Sequence, residues 1–369
     1  MLIGVPKEIK NNEYRVGMTP AGVRELVSHG HRVMVEANAG EAIGLTDDLY
    51  QQAGAEVITS ASDIFANADM IIKVKEPQTQ ECEMLRQGQI LFTYLHLAPD
   101  LQQTKKLIAS GAICIAYETV TDAHGGLPLL APMSEVAGRM AIQAGTHALE
   151  KTQGGMGILL GGVPGVAPAK VIVLGGGVVG LNAARMAMGL GADVTVIDRS
   201  LDRLKQLDEQ FGPQLKTLYA TKEMIERAIV RADLVIGAVL VPGATAPKLI
   251  TRDSLATMKQ GAVLIDVAID QGGCFESSHP TTHDDPTYIE QGVIHYCVAN
   301  MPGGVARTST FALTNATLPF IIELATKGAE QALLDNIHLR DGLNIYKGKV
   351  TYQAVAEAHG FEYIAANEI

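Results

Sequence analysis

Short, almost wholly apolar runs recur along this chain, and stretches of helical character separate them. In the first third the runs fall near 2–5, 32–36, 70–74, 89–94 and 112–117, with helical stretches near 19–29, 47–53, 79–87 and 99–110. Strand and helix in strict alternation predict a parallel sheet flanked by helices, because parallel neighbours need a crossover and a helix is the usual one. DAHGGLP at 122–128 is turn-rich and marks a boundary. A long helix is expected from Ser134, which offers an N-cap with Glu135 in the first acidic turn. GGMGILLGGVPGVAPA at 154–169 reads as an ordered loop or hairpin.

A second array follows, with strands expected at 170–174, 193–197, 215–219, 233–236, 262–266 and 294–298. Six strands with helical connections suit a complete doubly wound sheet. After residue 305 the pattern turns helical, with a helix near 310–326, and no new sheet is expected. That tail must pack on something already built, so it is expected to rejoin the first domain. The prediction is an α/β chain of two Rossmann-like, doubly wound parallel-sheet domains with an interdomain cleft. Residues 1–128 with 306–369 form one discontinuous domain, and 129–305 the other.

Bulk composition narrows the function classes. The 369 residues suit two domains, and 47% hydrophobic with 19% charged is core-rich. Net charge is −11 and no Lys/Arg-rich run stands out, which disfavours a nucleic-acid or anionic-membrane surface. None of the four cysteines, Cys82, Cys114, Cys274 and Cys297, forms a C-x-x-C pair, so reduced thiols in a cytoplasmic setting are expected. No run of eighteen or more apolar residues predicts a membrane span, and LIGV directly after Met1 leaves no room for a signal-peptide pattern.

The sharpest local signal is KVIVLGGGVVGLNAARMAMGLGADVTVID. Gly175, Gly177 and Gly180 fit G-x-G-x-x-G between an apolar strand and a helix, with Val178 and Val179 opening that helix, and the next strand ends in Asp198. The first glycine permits the tight turn, the second lets backbone amides approach a pyrophosphate, and the third lets helix and strand pack closely. The anion would sit at the helix N-terminus. Asp198 can accept both ribose hydroxyls and would repel a 2′-phosphate, favouring NAD over NADP, although Arg199 and Arg203 lie nearby. A plain strand-turn-helix with packing glycines is the alternative. The other strand ends belong to the same site by the rule that ligands bind at carboxyl ends of parallel strands. They are Ala238–Val239–Leu240, Val267–Ala268–Ile269–Asp270 and Val298–Ala299–Asn300–Met301.

GVPKEIKNNEYRVGMTP, 4–20, places Lys7, Lys10 and Arg15 directly after the first strand. An arginine there can grip a carboxylate by two parallel hydrogen bonds; a solvated charged loop is the other reading. Lys75 ends MIIKVK, and Lys73 shares its parity. His96 ends ILFTYLH, where a structural histidine is the bland alternative. Asp270 ends DVAID, where Asp266 competes and an N-cap is the simpler role. Together they put Arg, Lys, His and Asp at strand ends, and amino-acid oxidation needs such a set: cations for a carboxylate, a group titrating near neutrality, and a positioned water.

GVPKEIKNNEYRVGMTP and the VLGGGVVG-to-Asp198 run closely resemble the alanine dehydrogenase family, as do KVKEP, FTYLHLA, LAPMSEVAGR, TQGGMGILLGGVPGV, ADLVIGAVLVPG, DVAIDQGGCFE and YCVANMPGGVARTST. These blocks cover most of residues 1–325. The resemblance implies NAD-dependent interconversion of L-alanine with pyruvate and ammonia, catabolic use of L-alanine, and a homohexamer. It implies that Arg15 and Lys75 bind the substrate carboxylate, with Asn300 nearby, that His96 is the general acid/base, and that Asp270 assists proton transfer. Met133, Ser134, Asn300 and Met301 would border nicotinamide and pyrophosphate, with Arg203 also near the cofactor. Ala220 stands where relatives present a serine to the adenosine, and His279 where an arginine is often found. Some relatives carry a divalent-metal pair on the late helix; here Glu323 is followed by Lys327, so no metal is expected.

The nearest alternative is the NAD(H)-binding subunit of a proton-translocating transhydrogenase, which is similar across both domains but oxidises no amino acid. The presence of His96 and Asp270 favours the dehydrogenase. A dehydrogenase for a larger amino compound, such as saccharopine, and a silent NAD-binding scaffold are the remaining readings.

Overall fold

The structure is a computed structural model describing residues 1–239 and 246–368. The chain divides into two compact units, Met1–Met133 with Val305–Ile369, and Ser134–Gly304.

The first unit is built on β1 (Leu2–Val5), β2 (Arg32–Glu36), β3 (Glu56–Ile58), β4 (Met70–Ile72), β5 (Ile90–Thr93) and β6 (Ile113–Ala116), all parallel. In space β6, β5, β4, β1, β2 and β3 follow one another. The central strands are buried at nearly every position, so both faces need cover, and the crossover helices supply it.

The second unit carries β7 (Lys170–Leu174), β8 (Asp193–Asp198), β9 (Leu215–Tyr219), β10 (Leu234–Gly237), β11 (Val263–Asp266), β12 (Thr287–Glu290) and β13 (Val293–Tyr296). Their order is β12-β13-β11-β10-β7-β8-β9. Side-chain parity shows that this sheet is covered on both faces. Val171, Val173, Val194, Val196, Leu234 and Ile236 join one core with the helices Ala131–Ala148 and Val178–Gly189. Ile172, Leu174, Ile197 and Val235 join another with Ile225, Ile229 and Leu255.

Four sequence-based expectations are corrected. The strand Glu56–Ile58 and the helix Ala61–Asn67 lie outside the expected pattern; the strand is three residues long, half exposed and at the sheet edge, so its apolar signal is faint. The second sheet has seven strands among the described residues, because Thr287–Glu290 adds an antiparallel edge. The tail is not wholly helical after the helix Ala306–Lys327: β14 (Leu343–Tyr346) pairs antiparallel with β6, and β15 (Lys349–Val350) pairs with β14. Finally, Ser134 is not an N-cap. The helix starts at Ala131, because the Leu127 carbonyl already accepts from the amides of Leu130 and Ala131 at 3.1 and 2.9 Å. Pro132 sits in that first turn, where its missing donor costs nothing.

Candidate active site

In the first unit β1, β4 and β5 are parallel neighbours, so their carboxyl ends open at the same edge of the sheet. The loop after β1 carries Arg15, the residues after β4 include Lys75, and His96 follows β5. A cavity of 650 Å³ lies beside the loop, lined by residues 7–15 and by Asn38, Ala39, Glu41 and Ala42.

Arg15 is 2% exposed. Glu13 accepts from its Nε at 2.7 Å and its Nη2 at 2.6 Å, while Nη1 faces the Met133 sulfur at 3.2 Å. A buried guanidinium needs a paired anion, and Glu13 supplies it. Burial alone would raise the Glu13 pKa, but the hydrogen bonds and charge of Arg15, with the charge of Lys75, hold it below the usual carboxylate range. Glu13 is thus electrostatically coupled to both cations expected to bind substrate.

Glu8 does similar work behind Lys75. It accepts from the amides of Val74 at 2.6 Å and Lys75 at 3.3 Å, and from the Lys73 ammonium at 2.9 Å. Lys73 is fully buried and also meets Glu81 at 2.8 Å. Lys73 and Lys75 share parity, yet only Lys73 lies in the interior, because two carboxylates compensate it there.

His96 adopts a left-handed backbone, φ 49°, and its ring is about half exposed, 46%. Its ring stacks nearly parallel to Tyr94, with centroids 5.9 Å apart. The Tyr94 hydroxyl donates to the Leu129 carbonyl, which fixes that platform.

In the second unit the glycine turn joins β7 to the helix Val178–Gly189. Gly175 takes φ 99°, a conformation side chains rarely adopt. A Cβ at Gly180 would fall 1.8 Å from the Gly175 carbonyl oxygen, so close packing demands glycine there. Gly177 is different: its φ is ordinary, −64°, and among the described residues a Cβ would meet no atom beyond its chain neighbours within 4 Å. Packing among the described residues does not require glycine at this position. It precedes the first turn of a twelve-residue helix whose amides suit an anion.

Asp198 ends β8; one carboxylate oxygen accepts from the Gly176 amide at 2.6 Å and the other from the Ser200 amide at 2.7 Å. Arg203 donates through Nε to the Gly176 carbonyl at 2.5 Å and through Nη1 to Gln206 at 2.9 Å. The Ala220 amide donates to the Asp198 carbonyl at 2.9 Å, so the ends of β8 and β9 are tied together.

The remaining strand-end residues offer mainly backbone. Val298, Ile269 and Met301 are buried, and Val239 and Val267 half-buried. Leu240 lies outside the described residues. Asn300 has a left-handed backbone, φ 57°, and its carbonyl accepts from the Gly303 amide and the His283 ring. Asp270 is exposed in a short turn after β11. Asp266, its competitor, is fully buried and accepts from the amides of Ala268 at 3.1 Å and Cys274 at 2.7 Å and from the Ser278 hydroxyl. Burial pushes its pKa up against those bonds. Asp266 organises the loop that carries Asp270. His279 is exposed and stacks on Tyr288 at 3.7 Å. Lys327 bridges Glu323 and Asp335, both at 2.9 Å.

Behind His279, His295 is fully buried, donating through Nδ1 to the Val293 carbonyl at 3.0 Å and accepting from the Ser277 hydroxyl at 2.8 Å. Burial pushes its pKa down to about 4. A group depressed on folding favours the fold above its unfolded pKa, near 6.5, and loses that advantage as pH falls through its folded value. The protein is therefore expected to lose about 3 kcal/mol on this account between pH 6.5 and pH 4. Urea melts at pH 7 and pH 4.5 check it: His295→Phe should flatten the difference, and an equally steep loss in the variant would refute the assignment.

Three residues of this region escaped sequence reasoning: Glu8, Glu13 and Glu118, whose carboxylate meets the Leu95 and His96 amides. The available signal was the spacing of acids between the cations of KEIKNNEYR, since a buried arginine or lysine requires an anion.

Opposed core faces on a parallel sheet, the glycine turn and an acidic strand end together define an α/β protein of the Rossmann class. Family models for the alanine dehydrogenase/PNT N-terminal domain and C-terminal domain match residues 4–137 and 141–353. An alanine dehydrogenase from Halomonas elongata is 63% identical over 366 residues, covering 99% of each chain. Among solved structures, an L-alanine dehydrogenase superposes with TM-score 0.95 at 50% identity, covering 98% of this chain and 99% of that one. A transhydrogenase from Sinorhizobium meliloti gives TM-score 0.82 at 25% identity, covering 96% and 100%. The chain belongs to the alanine dehydrogenase/PNT family.

Proposed function

We propose that this chain catalyses the reversible, NAD-dependent oxidative deamination of L-alanine to pyruvate and ammonia. The observation that carries the reading is a buried arginine, a lysine and a half-exposed histidine at the carboxyl ends of three adjacent parallel strands. Full-length similarity to alanine dehydrogenases supports it.

The second unit suits a nicotinamide dinucleotide. Among the described residues no packing atom lies within 4 Å of where a Gly177 Cβ would sit, at a helix N-terminus, and Asp198 presents a carboxylate at the neighbouring strand end. Val178, Val179 and Ser134 offer the first helical turns, and the ends of β10, β11 and β13 offer backbone groups. NAD is favoured over NADP because Asp198 repels a 2′-phosphate, and Arg203 is already committed to Gly176 and Gln206. Bound there, the cofactor supplies the hydride acceptor for alanine oxidation.

The chain's own residues do the rest. The substrate carboxylate is assigned to Arg15, whose orientation Glu13 fixes through Nε and Nη2, together with Lys75. His96 in its neutral form takes a proton from water as that water adds to the imine carbon, and Asp270 orients water and amine. Protonated His96 then gives that proton to the amino nitrogen of the carbinolamine, the C–N bond breaks, and ammonia departs as the hydroxyl collapses to the carbonyl of pyruvate. By family resemblance the assembly is a homohexamer, which light scattering tests. No helix among the described residues is long and apolar enough to cross a membrane. Four buried cysteines, none in a disulfide, fit a cytoplasmic setting.

The direct test is NADH formation from NAD with a panel of amino acids: alanine should be preferred, and absence of turnover with alanine would reject the reading. Arg15→Lys keeps the charge that balances Glu13 but gives up one planar edge. It is expected to raise KM for alanine and pyruvate roughly 10- to 100-fold, by loss of about 1.5–3 kcal/mol of charge-assisted bonding, with the KM for NAD little changed. An unchanged alanine KM would remove Arg15 from the carboxylate site.

A further inference from the structure

Glu118 lies in a short helical turn, Tyr117–Thr119, directly after β6. The strand beside β6 is β5, so this turn sits against the segment carrying His96. One Glu118 oxygen accepts from the His96 amide at 2.7 Å and from the Leu95 amide at 3.2 Å. The other accepts from the same Leu95 amide, also at 3.2 Å. The first oxygen also lies 3.8 Å from His96 Nδ1. One carboxylate therefore grips the backbone of a histidine at φ 49° and faces its ring.

We propose that Glu118 is the positioning residue of His96: its oxygens hold the left-handed backbone that aims the ring. This inference rests on the reading of His96 as the acid/base group. Left-handed backbone is uncommon outside glycine, asparagine, aspartate and histidine, and persists where surroundings over-determine it. Amide bonds to one carboxylate provide that determination here. Other titratable groups pack on the same corner. Tyr94 stacks on the ring from β5. Tyr352, at the head of the helix Gln353–His359, senses the Glu118 charge. The His359 ring donates to the Leu97 carbonyl at 2.8 Å. Of these groups, Glu118 alone is anionic at neutral pH.

Two variants test this role. Glu118→Gln keeps an oxygen to accept the amides, and Glu118→Ala removes it. In the full-length protein, Glu118→Ala is expected to lose roughly tenfold or more from kcat for alanine, because the ring is no longer aimed, and Glu118→Gln is expected to restore most of that loss. A readout independent of turnover is the backbone amide resonance of His96, assigned with His96→Asn: its hydrogen-bonded shift should be kept in Glu118→Gln and lost in Glu118→Ala. An unchanged kcat in a folded Glu118→Ala, or an unmoved His96 amide resonance in that variant, would overturn the proposal. If His96→Asn itself keeps full turnover, the acid/base reading fails first, and the amide resonance still decides whether Glu118 holds this backbone.

Discussion

Replacing His96 by alanine is expected to lower kcat for alanine oxidation by roughly 10²–10⁴-fold, the usual contribution of a positioned acid/base group. The expected loss is in kcat more than in the KM for either substrate, since the ring is assigned to proton movement rather than to gripping the carboxylate. Backbone strain complicates the alanine variant, because φ at this residue is 49°. His96→Asn is the better partner variant: asparagine tolerates the left-handed region and keeps the Glu118 bond to its amide, but has no group titrating near neutrality. Both variants should show the same collapse in turnover, measured as NADH formation at saturating alanine. Near-normal turnover in His96→Asn would show that another group moves the proton.

Lys73→Met is expected to destabilise the fold severely. The ammonium is fully buried between Glu8 at 2.9 Å and Glu81 at 2.8 Å. Burial alone would strip its proton, but the two carboxylates outweigh burial and hold its pKa above the ordinary value. Burial meanwhile pushes Glu8 upward against the pull of Lys73. Methionine fills similar volume and leaves two uncompensated carboxylates in the interior. Breaking a buried pair this way costs about 3–5 kcal/mol. At roughly 2–4 °C per kcal/mol, the melting temperature should fall by about 6–20 °C. The sign with pH is also set: protonation relieves the stranded carboxylates, so the variant should regain stability relative to the parent between pH 7 and pH 5. The triple variant Glu8→Gln, Lys73→Met, Glu81→Gln should recover much of the loss. A melting temperature within a degree or two of the parent in Lys73→Met would mean that water reaches this cluster. Glu8 also holds the amides of Val74 and Lys75, so the alanine KM should rise in Lys73→Met.

The central strands were legible because they are buried on both faces and so spell continuous apolar runs, such as VIVL and ILF, flanked by turns. Thr287–Glu290 was not, since it alternates exposed and half-buried residues at the sheet edge. Leu343–Tyr346 was hidden by its polar Asn344, which finds partners in Thr119 and the Gly342 carbonyl. The turn Gly175–Gly180 was legible because each glycine sits at a fixed offset from a strand and a helix. The cations and His96 could be picked out as unusual at strand ends. Glu8, Glu13 and Glu118 could not, because an acidic residue in a loop looks solvated until burial and partners are known. The work of Glu8 and Glu118 depends on which strands become neighbours, which local spacing does not encode, whereas Glu13 pairs with Arg15 two residues away and shows only in the spacing of KEIKNNEYR. Ser134 misled for the opposite reason: a good capping residue is present, but LPLLAP had already begun the helix three residues earlier.

β14 has a consequence for how the chain is made. Leu343–Tyr346 closes the open edge of β6, yet about two hundred residues separate the two strands in sequence. On a translating ribosome, the continuous unit Ser134–Gly304 emerges whole while the older amino-terminal half still presents unsatisfied β6 amides and carbonyls. That bare margin can recruit a strand from another nascent chain, so premature stop codons between the end of β6 and Leu343 should yield aggregates rather than a soluble fragment.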